Sequence, residues 1–575
     1  MLKVLKTFYS FVFKKKLIFI GFVFLIIISN ILFSLNPVFY KKFVDLIPSL
    51  NESKLFEVLL LYMAVRVGAV IVDMACFWVG DYILFGTAID ARTTIFKKVQ
   101  DLDFAFHSEK STGSLISAFK RGDSAVFSFF HDIHHRMMGV FISFMVMIYY
   151  FSSLDIKIVL MLLGSLIATL SVTKLLIGNN VNKRKYFNNE EDEISGIITD
   201  NLINFETVKL FAKESWEENK LRTNFTTWLK TLWGYGNSFR LIDATMGTII
   251  NLSIFLVLYV TIKQTVSLNL TVGDFVLITG FLSNFYPKLW DLVWGFRDLA
   301  KNYADIEKYF QLLNYDIEVK DPEMPIELRK VTGKIQFENV FHSYRGGTKN
   351  AINELSLEIK AGESIAFVGR SGSGKTTITK LLMRFFDPEK GTISIDGIDI
   401  RKFRKTTLRG FFGVVPQEPV LFNNTIGYNI SYGSDKKVNK KDIVKAAKLA
   451  NIDDFIQKLP EKYESNVGER GIKLSGGQKQ RLAIARMIMS DPDIIVFDEA
   501  TSHLDSESEK LIQDAFWKYA KNKTTIVIAH RLSTIQKADR IVVLDKGRIV
   551  EIGNHKELLK NNSGVYKKLW NLQVN

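Results

Sequence analysis

Ser364-Ile365-Ala366-Phe367-Val368, followed without a break by Gly369-Arg370-Ser371-Gly372-Ser373-Gly374-Lys375-Thr376, decides the fold of the C-terminal part of this 575-residue chain. The first five residues read as a buried strand, and Thr377–Phe385 reads as a helix. A G-x-x-x-x-G-K-T loop between such elements is a phosphate cradle. Its glycines let successive amides turn inward around an anion, and the helix N-terminus adds a favourable dipole. Lys375 is placed to reach the β and γ phosphates, and the Thr376 hydroxyl to bind Mg²⁺. A glycine-rich turn that binds nothing has no need of lysine, hydroxyl and both flanking elements in register.

Around that loop, short β-rich runs at Ile335–Phe337, Ile494–Phe497, Thr525–Ile528 and Ile541–Leu544 alternate with helical stretches. That is the pattern of an α/β domain with a largely parallel sheet. Ile494–Phe497 ends in Asp498-Glu499. An acidic pair after an apolar strand is more often a solvated strand end. Beside a phosphate loop, Asp498 becomes a candidate Mg²⁺ ligand and Glu499 the candidate to polarise an attacking water. The domain is expected over residues 333–575, after a linker at 314–332 that carries Pro322 and Pro325.

Upstream the chain changes character. Leu17–Leu35 carries no charge and is long enough for roughly 28 Å of helix, matching a bilayer core. Further spans are expected at 55–79, 137–153, 156–177, 242–262 and 272–296, giving a membrane domain over 17–313. No small-residue cleavage site follows the first run, so it reads as an uncleaved span. Residues 1–16 mix lysines with Leu5, Phe8, Phe11 and Phe13, as in a helix lying on an anionic leaflet. The basic N-terminus and the long segments Gly80–Arg136 and Gly178–Arg240 then face the cytoplasm, with both termini inside. Lys41, Lys42 and Lys54 in the first outer loop run against that pattern. The inner segments keep helical periodicity, so the spans are expected to continue beyond the bilayer through Thr87–Leu102 and Glu193–Phe211 and double back.

This layout accounts for much of the net charge of +15 without nucleic acid. Twenty-three per cent charged residues and ten prolines exclude an extended disordered chain, and the single cysteine, Cys76, excludes a disulfide framework or a multi-cysteine metal centre. His131, His134 and His135 share a helical face, where histidines at a membrane boundary are commoner than a metal site. Arg66, Asp73, Lys288, Asp291 and Arg297 interrupt the spans or border them. They either line a cavity or are spent on internal pairs and snorkelling.

Leu474-Ser475-Gly476-Gly477-Gln478 resembles the signature of ATP-binding cassette proteins, and further matches follow in that family's order. The resemblance implies ATP and Mg²⁺ as cofactors, with Gly369, Arg370, Ser371, Gly372, Ser373, Gly374, Lys375, Thr376 and Thr377 around the phosphates. It implies adenine stacked on Tyr344, Mg²⁺ held by Thr376, Gln417 and Asp498, and Glu499, Gln417 and His530 in catalytic roles. Glu469-Arg470-Gly471 precedes the signature as in exporters. Ser502 and Asp505 match the D-loop, which departs from the family at His503, where alanine is usual. The implied fold is an all-α six-helix transmembrane domain with long cytoplasmic extensions, joined to an α/β P-loop NTPase domain of the cassette type.

In that family the phosphate loop of one cassette faces the signature of another. One loop, one signature and six spans therefore imply half of a machine, completed by a second copy or a related half-transporter. Short helices near Phe106–Lys110 and Phe211–Ser215 are expected to carry cassette motion to the spans. The implied activity is ATP-driven export of an amphipathic cargo, lipid or drug-like. The alternative, suggested by Asn204-Phe205-Glu206-Thr207-Val208-Lys209 and Tyr428-Asn429-Ile430, is a sulfur or metal conjugate. An ATP-gated channel would share both halves. Lysine and asparagine usage points to a bacterial inner membrane.

Overall fold

The computed structural model describes residues 2–49, 51–110, 112–344, 350–434, 438–498, 506–528 and 535–574. They form two compact units. The first holds residues 1–101 and 110–315, and the second holds 102–109 and 316–575.

The first unit is helical among its described residues. Lys16–Ser34 and Asn36–Leu46 are followed by helices at Glu52–Asp101, Thr112–His131, Met138–Ser152, Ile156–Ile203, Glu214–Val266 and Val272–Gln311. Fifty residues of helix reach about 75 Å, far more than a bilayer core of about 30 Å, so the same helices serve as spans and as extensions. Four helical stretches, within 3–49, 52–101, 156–203 and 214–266, have the length and hydropathy to cross a membrane by themselves. The expected third span, 137–153, is the helix Met138–Ser152, and a π-helical segment, Asp132–Met137, joins it to Thr112–His131.

Helix ends follow local chemistry. Asp155 accepts from the amide of Lys157 at 2.8 Å and starts Ile156–Ile203. Thr271 and Asp274 form a reciprocal capping box at Val272–Gln311. The Gln264 amide donates to Asp155, tying two outer turns together. Lys41 is neutralised by Asp274 at 2.5 Å and Asp45 at 3.1 Å, which removes one of the positive charges that ran against the orientation pattern.

The N-terminal helix Leu2–Val12 differs from the lipid-facing expectation. Phe8 and Phe11 are buried in protein, packed against Phe129 and Phe310, while Phe13 and Leu17 remain exposed. The histidines are engaged by protein as well. His134 shares Nδ1 with the Phe130 carbonyl at 2.8 Å, and His135 stacks on Phe77 with 4.7 Å between centroids.

The second unit contains strands β1 (Ile335–His342), β2 (Ile352–Ile359), β3 (Ser364–Val368), β4 (Lys390–Ile395), β5 (Ile398–Asp399), β6 (Phe412–Val415), β7 (Ile494–Asp498), β8 (Thr524–Ile528), β9 (Arg540–Asp545) and β10 (Arg548–Gly553). One sheet runs β10-β9-β3-β8-β7-β6, parallel except for β10. The other, β2-β1-β4-β5, is antiparallel. The parallel strands are buried on both faces and read as continuous apolar runs for that reason. The segment expected as a linker is bonded into this unit. The Ile326 amide donates to the Lys402 carbonyl at 2.9 Å, and the Val331 amide to Asp493 at 2.9 Å.

One core lies on the face of the large sheet that carries the helices Gly476–Ser490 and Ser506–Ala520. There Phe516, fully buried, meets Phe497 with 4.1 Å between ring centroids. Phe516→Ala is expected to destabilise this unit by about 3–5 kcal/mol, and Phe516→Leu by much less. Calorimetry of the purified full chain reads this as a lowered cassette transition; equal transitions in both variants would count against a packing role.

Candidate nucleotide-binding site

β3 sits between β9 and β8, so the loop that follows it leaves the middle of the sheet at its C-terminal edge. Ligands in open α/β sheets gather at that edge. The loop has no space for side chains at Gly369 and Gly374. A Cβ on Gly369 would lie 2.4 Å from the Leu544 carbonyl. Gly374, at φ +107°, would place one 2.6 Å from the Ala351 carbonyl. The Gly547 amide donates to the Ser373 carbonyl at 3.0 Å and holds the loop from outside.

Lys375 opens the helix Lys375–Leu382 and is buried, its ammonium donating to the carbonyls of Gly369 at 2.7 Å and Arg370 at 3.2 Å. The cation thus spans the mouth of the loop. Ser373 Oγ is buried with no partner inside it, an orphan polar atom where a phosphate oxygen fits. Ser371, Gly372 and Thr376 are exposed along the rim. Thr377 turns inward and shares a hydrogen bond with the Tyr344 hydroxyl at 3.1 Å.

Asp498 ends β7, two strands from β3. Burial pushes its carboxyl above the usual range, opposed by Lys375 and Lys380. Gln417 follows β6, the neighbour of β7, so both oxygen donors leave the same edge. Its side chain is exposed while its carbonyl accepts from Gln480 Nε2 at 2.7 Å. Glu499, Ser502, His503, Asp505 and His530 lie outside the described residues; Glu499 directly follows β7, and His530 follows β8 by two residues.

The signature caps a helix. Ser475 accepts from the Gln478 amide, and the Gln478 side chain accepts from the Ser475 amide at 2.9 Å, opening Gly476–Ser490. Leu474 is half-buried and Gly477 buried, but Ser475 and Gly476 are exposed. A helix N-terminus with free amides and a serine hydroxyl faces outward, ready for an anion.

Several contributors were not singled out by sequence. Gln480, buried in the signature helix, ties that helix to the Gln417 loop. Arg486, further along it, donates to the Asn429 carbonyl at 2.9 Å and side chain at 2.8 Å, which fixes the Tyr428-Asn429-Ile430 turn. The helix Phe104–Glu109 belongs to this unit, and Phe104 stacks on Phe385 at 5.1 Å. Lys380 lies over the rings of both Phe104, at 5.0 Å, and Tyr344, at 5.7 Å. The expected tip at Phe106–Lys110 therefore starts two residues earlier. The tip expected at Phe211–Ser215 is a helix at Phe205–Leu210, because Ala212 turns at φ +50° and Glu214 already opens the next helix.

Residues 352–502 match the family model described as ABC transporter, and residues 18–286 match that of the ABC transporter transmembrane region. Heavy metal tolerance factor 1 of Caenorhabditis elegans is 37% identical over 494 residues, covering 85% of this chain and 61% of that protein. The mitochondrial iron-sulfur clusters transporter ABCB7 of Homo sapiens is 35% identical over 488 residues, covering 83% and 64%. The chain thus spans about three fifths of the length of these curated relatives. A bacterial Atm1-family ABC exporter solved with ATP bound superposes with a TM-score of 0.85 at 33% identity, covering 97% of this chain and 98% of that one. With a six-helix membrane domain and a cassette ATPase domain in one polypeptide, the chain belongs to the ATP-binding cassette exporters of the Atm1 type.

Proposed function

We propose that two copies of this chain form an ATP-driven exporter in which each ATP is enclosed between the phosphate loop of one copy and the signature of the other. The observation that carries this reading is the outward-facing N-terminus at Ser475-Gly476 in a chain with a single phosphate loop. Family membership and the superposition on an ATP-bound exporter support it.

Tyr344 stacks on adenine, and the amides of Gly372–Thr376 with Lys375 hold the phosphates. Thr376, Gln417 and Asp498 are the residues to hold Mg²⁺, which supplies charge neutralisation at the phosphate oxygens. The donor set fits: a rim hydroxyl, a carboxylate and an amide leave one sheet edge. Glu499 orients the water that attacks the γ-phosphorus, His530 contacts the γ-phosphate, and ADP leaves. Asp498 must be ionised to serve, so the elevation caused by its burial is offset once the cation is bound. Ser502 and Asp505 pass the state of one site to the other. The stack of Phe104 on Phe385, with Lys380 between Phe104 and Tyr344, gives nucleotide occupancy a direct route to the first cytoplasmic tip.

The cargo we propose is a sulfur-containing or metal-bearing conjugate rather than a lipid or drug. The relatives named for heavy-metal tolerance and iron-sulfur clusters support that class, whereas a lipid or drug cargo finds no support among them. We place the chain in a bacterial inner membrane with the cassette in the cytoplasm, a reading supported by the bacterial exporter's likeness.

Glu499→Gln is expected to bind ATP within about threefold of the unaltered protein while turnover falls at least ~100-fold, measured by fluorescent nucleotide titration and phosphate release. Retained turnover would remove Glu499 from its role. Gln480→Ala, which frees the Gln417 loop, is expected to slow ATP turnover by up to about tenfold with unchanged nucleotide affinity. A loss of affinity instead would assign Gln480 to the phosphate site. In vesicles, ATP-driven accumulation of cargo against its gradient supports the exporter; ATP-gated passive conductance would replace it with a channel.

A further inference from the structure

Of the five charged residues that interrupt or border the spans, two converge. Arg66 and Lys288 line one cavity of 290 Å³ within the membrane unit, together with Ser143, Asn284, Phe33 and Phe285. Arg66 stands about 21 Å along Glu52–Asp101, and Lys288 about 24 Å along Val272–Gln311, at 1.5 Å per residue. Both positions therefore fall within the length of a bilayer core of about 30 Å, among the spans rather than in a loop. A cation at that depth is costly unless something answers it.

The protein answers only in part. Lys288 donates to Ser143 Oγ at 2.5 Å, a neutral partner. The Arg66 guanidinium lies 5.2 Å from the Phe33 ring centroid, and its Nη1 is buried without any hydrogen-bond acceptor. No carboxylate lines the cavity among the described residues. Asp73 accepts from Ser29 at 2.9 Å instead, and Asp291, a turn beyond Lys288, is exposed. The side chain of Arg297 lies outside the described residues. What remains is two cations with serine hydroxyls and asparagine amides, beside phenylalanine rings, in a space at the lower end of small-ligand pockets.

We infer that this cavity is a binding site for an oxyanion, carboxylate or phosphate, borne on a small apolar body. Arg66 and Lys288 take the charged group, and Phe33 and Phe285 pack on the body. As a site for exported molecules it rests on the exporter reading; as a binding site it does not. A lipid headgroup offers the same chemistry, so the source is decided by experiment.

The probe is dansylglycine, a fluorescent aryl carboxylate, titrated into the purified full-length protein in phosphatidylcholine nanodiscs, with neutral dansylamide as control. Saturable binding of the carboxylate and at least tenfold weaker binding of the amide are expected. Arg66→Gln with Lys288→Gln should weaken dansylglycine at least tenfold, while Arg66→Lys with Lys288→Arg keeps it within about threefold. The second pair guards against mere misfolding. Equal binding to the Gln and charge-retaining variants, or to both probes, overturns the site. Displacement by phosphatidylglycerol assigns it to a lipid headgroup. Absence of displacement, with ATP-driven vesicle uptake of dansylglycine, assigns it to cargo. Binding that persists without uptake or displacement keeps the site and removes only its role in export.

Discussion

The charge of a γ-phosphate cannot be enclosed by one loop, and the rest of this architecture follows from where its second set of donors lies. The phosphate loop covers one side with backbone amides and Lys375. The donors proposed to complement it lie at Ser475 and Gly476, which are exposed, while Gly477 is buried. A capping box already satisfies Ser475 internally, so the signature needs no ligand to fold; it is preformed. Preformed donors lose little entropy when an anion arrives, as the proposed enclosure of nucleotide between two copies requires.

Much of the cassette was legible because its signals are local. The strand, loop and helix around Gly369–Thr376 each have a period or a backbone requirement that neighbouring residues declare. Gly374 at φ +107° is an example, since no other residue takes that conformation at so little cost. Four of the five parallel strands were equally plain, whereas β6 was not expected; in the antiparallel sheet β1 extends to His342, well beyond Phe337, because pairing to β2 and β4 recruits half-exposed residues. What stayed hidden was non-local. Gln480 reads as an ordinary helical amide until the Gln417 carbonyl is found beside it. Phe104 reads as part of an apolar run until it lies on Phe385, 281 positions away.

The two cytoplasmic tips were not read from local signals. The first was placed to within two residues, but by the family resemblance rather than by the local pattern. The second, placed by the same resemblance, was set too late; the reversal there rests on Ala212 in a left-handed conformation that alanine seldom adopts. The N-terminal helix shows the converse. Its amphipathic pattern was evident, but composition does not say whether protein or lipid covers the apolar face, and here Phe129 and Phe310 do.

The membrane charges make an energetic demand of their own. No described carboxylate lines the cavity that holds Arg66 and Lys288, so at the proposed site an anion that enters gains what the lining lacks. Such a site binds well and therefore releases poorly unless the cavity itself changes shape. Pro287, directly before Lys288, removes one backbone donor from Val272–Gln311 and weakens the helix at that turn. The same helix continues to Gln311 and ends only a few residues before the cassette unit begins at Asp316. In the proposed exporter, a bend at Pro287 would move Lys288 relative to Ser143 and Arg66 and so loosen the hold on an anion.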